Sequence, residues 1–111
     1  MDKLTRYREI VRALVEDYAK DKPSHGVIDS YPVLDPIGDH YLAVQAGWSG
    51  HRRIQGAFVH IDIIDGKIWL QYDGTNRPVA RELVAAGIPK EDIVLAEKPP
   101  EVRQFTGYGV G

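Results

Sequence analysis

The chain has 111 residues, with 14 basic and 16 acidic side chains and a formal charge of −2, so no global field draws it to nucleic acid or to an anionic membrane surface. Cysteine is absent, which excludes a disulfide framework and any thiolate metal site and fits a reducing compartment. The length, with 43% apolar residues and no low-complexity stretch, suits one domain over residues 1–111 with one core.

Leu4, Tyr7, Val11, Leu14 and Tyr18 recur at spacings of three and four, with Ile10 and Val15 beside them. That places one apolar stripe on an amphipathic helix. Asp2 suits its N-cap, Lys20 and Lys22 lie near its negative end, and Pro23-Ser24-His25-Gly26 stops it. Two heptads are too few for a coiled-coil seam, so the stripe reads as core. The charged Met1–Arg6 segment leads into no apolar run of signal-peptide type, and no apolar stretch approaches membrane-spanning length. A cytoplasmic protein with no membrane association is expected.

Four strand candidates follow at Val27–Asp35, His40–Trp48, Arg53–Ile64 and Lys67–Tyr72. Their short connections favour antiparallel pairing of neighbours. Asp65-Gly66 lies between two β-branched runs and suits a type I′ turn, whose positive φ angles Asp and Gly tolerate. A two-residue loop there pairs Ile64 with Lys67, Ile63 with Ile68, Asp62 with Trp69, Ile61 with Leu70, His60 with Gln71 and Val59 with Tyr72. One hairpin face then carries Val59, Ile61, Ile63, Ile68, Leu70 and Tyr72, and should be core. The other carries His60, Asp62, Ile64, Lys67, Trp69 and Gln71.

A second helix opens after Gly74-Thr75-Asn76-Arg77-Pro78, with Thr75 or Asn76 as its cap and Val79, Leu83, Val84 and Ala86 on its apolar side. Gly87 suits the position after its end, and Pro89 prevents continuation. Ile93-Val94-Leu95 forms a short final strand or packs as a loop. Val102, Phe105 and Tyr108 punctuate a glycine-containing tail that can lie over the domain. The fold class expected is α+β: an N-terminal helix, an antiparallel sheet of about four strands, a second helix, and a short C-terminal strand or extended tail.

His60 and Asp62 share a strand face, and Asp73 could approach from the next turn. A polar outer face shielded by Trp69 accounts for them, because three dependable metal ligands are not in view and His25, His40 and His51 show no ligand spacing. Gly47-Trp48-Ser49-Gly50 lacks the final glycine and the following helix of a nucleophile elbow. Gly66-Lys67 lacks the hydroxyl residue and glycines of a phosphate loop. No catalytic residue, metal site or cofactor is expected.

Phe58, Ile64 and Trp69 lie on the side that a half-exposed sheet keeps polar, so something must cover them. Either the second helix or tail does so, or a partner or second copy does. Phe58, His60, Asp62, Ile64 and Trp69 are therefore the candidate partner-binding residues. The basic groups Arg6, Arg8 and Arg12 on the first helix and Arg52 and Arg53 in a loop could contact phosphates. Glu9, Glu16 and Asp17 interrupt the first group, which favours a solvated mixed-charge face, so direct DNA binding is the alternative.

Taken together, Met1-Asp2-Lys3-Leu4 through Arg8, Gly47-Trp48, His60 to Trp69, Asp73-Gly74-Thr75, Leu83 to Leu95 and Glu101 to Tyr108 resemble the XisI family, the fdxN-element excision controlling factors found chiefly in cyanobacteria. The Asp62–Trp69 block and Gly87–Leu95 are the most specific parts, and the resemblance spans essentially the whole chain. Tyr108-Gly109-Val110-Gly111 departs from the alanine-rich ending usual in that family. The resemblance implies an α+β fold and an accessory role in programmed removal of a DNA element during heterocyst differentiation, controlling a separate site-specific recombinase. It implies as partners that recombinase or an XisH-like protein, a type encoded nearby that resembles nucleases, while a homo-oligomer is the second-copy reading of the Trp69 face. It supplies no catalytic residues.

Overall fold

The computed structural model describes residues 2–20 and 27–111, so Lys22 and the Pro23–Gly26 stop signal lie outside the described residues. Helix α1 runs Lys3–Tyr18, and the Asp2 carboxylate accepts the Thr5 amide proton at 2.8 Å, which satisfies one of the unpaired donors of the first turn. Tyr7, Val11, Val15 and Tyr18 are buried, whereas Leu4, Ile10 and Leu14 are partly buried against the same core. The helix packs on a broad sheet, so its contact stripe is wider than a coiled-coil seam and takes in Val15.

Strands β1 (Val27–Asp35), β2 (His40–Ser49), β3 (Arg52–Ile64), β4 (Lys67–Asp73) and β5 (Ile93–Leu95) form one sheet in the order β1-β2-β3-β4-β5. The first four pair antiparallel, as their short turns dictate. After β4 the chain passes through helix α2 (Val79–Ala85), a connection long enough to return β5 parallel to β4. The fold is α+β with a mixed sheet.

Asp65 and Gly66 form the two-residue turn at φ 52° and 76°, and Ile64 pairs with Lys67, Ile63 with Ile68, Asp62 with Trp69 and Ile61 with Leu70. Beyond that a β-bulge intervenes: Gln71 is extra, so His60 pairs with Tyr72 and Val59 with Asp73. The regular register fails there for a physical reason, since one inserted residue moves every later side chain to the opposite face. Tyr72, expected in the core, is 47% exposed, while Ile61, Ile63, Ile68 and Leu70 are buried as expected. Gly66→Val should cost about 1–2 kcal/mol, because a β-branched residue is held in left-handed backbone. No atom lies within 4 Å of the added Cβ, so the whole effect is conformational and chemical denaturation should show it with an asparagine control nearly unchanged.

A second bulge lies between β2 and β3. Ala43 pairs with Val59 but Val44 pairs with Ala57, leaving Phe58 as the extra residue. Phe58 consequently packs against the core cluster instead of sharing the outer face with Ile64 and Trp69.

Neither Thr75 nor Asn76 caps α2. Pro78 occupies the N-cap without a side-chain bond, and the Asp73 carboxylate accepts from the Thr75 and Val79 amides at 2.9 and 3.4 Å. Asp73 therefore serves the helix start and does not join His60 and Asp62. At the other end Gly87 has φ 113°, and the Gly87 and Ile88 amides donate to the Val84 and Leu83 carbonyls, a Schellman ending. Helices α1 and α2 cover one face of the sheet, where Tyr41, Ala43, Val59, Ile61, Ile68, Leu83, Ile88 and Ile93 join the core.

Candidate functional site

The opposite sheet face carries the polar cluster. Asp62 is a buried carboxylate at 7% exposure, and one of its oxygens, Oδ1, lies 2.8 Å from both His40 Nδ1 and His60 Nε2. Gln71 Nε2 donates to the other oxygen at 3.2 Å. Among the described residues no lysine or arginine pairs with Asp62, so two imidazoles and an amide satisfy it. The Asp62 hydrogen bond, followed by its charge, holds the His40 pKa above the ordinary 6.5. Protonated His40 is the stabilised form, so this contribution is present below pH 6.5 and is lost as pH rises through the higher folded value.

His40 was not legible in sequence as a member of this group. A two-residue turn at Gly50-His51 with regular pairing would set His40 opposite Ile61, on the core-facing parity. The bulge at Phe58 advances the register by one residue, and His40 becomes the cross-strand partner of Asp62. His51 stays in the β2–β3 turn, and His25 lies outside the described residues.

Trp69 stands beside this cluster as the cross-strand partner of Asp62. Its cover comes from within the chain. A short helix, α3 (Pro100–Arg103), brings the Arg103 guanidinium to 5.2 Å from the Trp69 ring centre, and Gly111 lies against the ring edge. The tail is tied down by a bridge between Val94 and Gly109, where a Cβ on Gly109 would meet the Glu91 carbonyl oxygen at 2.5 Å. Ile64 remains 41% exposed at the β3–β4 turn, and Ile37 in the β1–β2 turn is 94% exposed. Both turns lie at the same sheet end, because the Ile63 amide donates to the Asp39 carbonyl at 3.0 Å.

Most of the arginines of the basic groups have local partners. Arg6 donates to the Gly87 carbonyl at 2.6 Å, Arg12 reaches Glu16 at 3.8 Å, and Arg53 lies over the Trp48 ring. Arg8 binds both oxygens of Asp39 at 2.8 and 3.0 Å, and this hydrogen bonding lowers the Asp39 pKa below 3.8. Arg52 is exposed at the start of β3.

Residues 1–110 match the XisI protein family. The chain belongs to the XisI family. A crystal structure of a XisI-like protein from Anabaena variabilis is similar at 44% identity and a TM-score of 0.90, covering 97% of this chain and 99% of that one. A second, of the fdxN element excision controlling factor XisI from Anabaena variabilis, is 32% identical with a TM-score of 0.83, covering 99% of this chain and 100% of that one. No curated protein matches the sequence. No helix among the described residues is long and apolar enough to cross a membrane.

Proposed function

We propose that the protein is a non-catalytic accessory factor of DNA-element excision that acts in the cytoplasm by binding another protein. The observation that carries this reading is full-length similarity to a structure described as an excision controlling factor. The partner class is an XisH-like protein or the site-specific recombinase, and the setting is programmed excision during heterocyst differentiation. Ile37 and Ile64, exposed at the sheet end that also carries His40 and His60, supply an apolar contact beside polar groups, a composition suited to interface anchors and their rim. Trp69 and Phe58 contribute less, since the tail and the core already cover them.

Co-purification with an adjacently encoded XisH-like protein tests the reading. The pair should elute together, and Ile37→Glu with Ile64→Glu should abolish the complex while the melting temperature changes little, both sites being exposed. Complex formation that survives both charges would move the interface elsewhere. The alternative, DNA contact through Arg6, Arg8, Arg12, Arg52 and Arg53, requires a mobility shift that weakens steeply with salt. Tight binding to a defined site by the isolated protein would replace the partner-binding reading.

A further inference from the structure

We propose that His40, His60 and Asp62 form a binding site for one divalent transition-metal ion of the zinc type. Three facts carry this. The three side chains come from two adjacent strands and converge on one face, and one ligand atom from each lies within 4.8 Å of the others. Two imidazole nitrogens and a carboxylate oxygen, with no thiolate, are a donor set that suits zinc, nickel or copper over calcium or magnesium, which prefer all-oxygen shells. Asp62 is buried without a lysine or arginine partner among the described residues, so an anionic oxygen faces two nitrogens with no fixed cation between them.

The geometry needs only side-chain adjustment. Metal–nitrogen and metal–oxygen bonds near about 2.1 Å at tetrahedral angles set neighbouring ligand atoms about 3.4 Å apart. His40 Nδ1 and His60 Nε2 each lie 2.8 Å from Asp62 Oδ1, so each must withdraw by a little over half an ångström. His40 is exposed and His60 half-buried, so both rings are free to turn, whereas Asp62 is anchored in the strand. Gln71 donates to Asp62 Oδ2 and leaves Oδ1 to the metal, the orienting role that outer partners of ligating carboxylates perform. Three protein ligands leave one coordination position open on the outer face, where water or a partner's carboxylate can enter.

Untagged full-length protein, stripped with a chelator, is titrated with Zn²⁺ by calorimetry and with Co²⁺ by visible absorption. The expected result is one ion per chain with Kd tighter than about 10 μM, and a melting temperature that rises on loading. His40→Ala and His60→Ala should each weaken binding at least tenfold, Asp62→Asn similarly, and His51→Ala should leave it unchanged. His40→Ala is the decisive variant because its exposed ring contributes little packing, so the metal-free variant should still fold, and its melting temperature should no longer rise on loading. Weaker binding by the parent protein, more than one ion per chain, or affinity unchanged in His40→Ala and His60→Ala would each overturn the assignment.

Discussion

Replacing Tyr18 with alanine should cost about 3–5 kcal/mol of folding stability, in the range for removing a fully buried aromatic side chain. Tyr18 ends α1 and has no exposed surface. Its hydroxyl donates to Glu82 Oε1 of α2 at 3.0 Å, and the Arg77 guanidinium lies 4.5 Å from the ring centre. Arg77 also binds Glu82 and Asp17 at 2.8 and 2.9 Å, so the ring is the apolar centre of a contact joining both helices. Alanine removes the ring and opens a cavity at the helix junction. Tyr18→Phe keeps the ring, and Glu82 keeps Arg77, so that change should cost only about 1 kcal/mol. Urea unfolding followed by circular dichroism measures both. A loss below about 2 kcal/mol for alanine would mean that the junction collapses onto the vacated space or does not hold α1 in solution.

Gly47→Ala should cost about 3 kcal/mol, the upper part of the usual range for forcing extra volume into a packed site. An added Cβ would stand 2.1 Å from the Val27 carbonyl oxygen and 2.6 Å from the Ile28 Cα. Both obstructing atoms are backbone of β1, so no rotamer change relieves them and the strand itself must move. β1 is an edge strand held on one side by β2, and its pairing of Val27 with Trp48 and Ile28 with Gly47 would part first. Hydrogen exchange should therefore show lost protection in β1 while β3 and β4 keep theirs. A stability change within about 0.5 kcal/mol would show that β1 does not approach Gly47 this closely. The Gly47-Trp48-Ser49-Gly50 run fails as a nucleophile motif, and the role of its first glycine is steric.

Much of the architecture is local and therefore readable. The α1 stripe, the Asp2 cap, the strand runs and the Asp65-Gly66 turn each express preferences within a few residues, and the structure reproduces them. The inward set Ile61, Ile63, Ile68 and Leu70 follows from that turn, because a two-residue loop and a period of two fix which side chains share a face. Family membership was also legible, since the Asp62–Trp69 and Gly87–Leu95 blocks are contiguous.

What the chain's own residues determine, then, is the α+β element order, the hairpin core and the family. The hairpin register also placed His60, Asp62 and Gln71 on one face, whereas tertiary structure alone brought His40 to them. The inserted residue at Phe58 is not specified by the alternation of β3, and in the folded sheet Phe58 packs against the core beside the buried Val59. That slip moves His40 from opposite Ile61 to opposite Asp62 and adds a second imidazole to the His60 and Gln71 side chains around one carboxylate. The cover over Trp69 was decided the same way, when Val94 paired with Gly109 and drew the tail across it. Such contacts span many residues of sequence, and their free energy comes from burying surfaces that meet only once the sheet has formed.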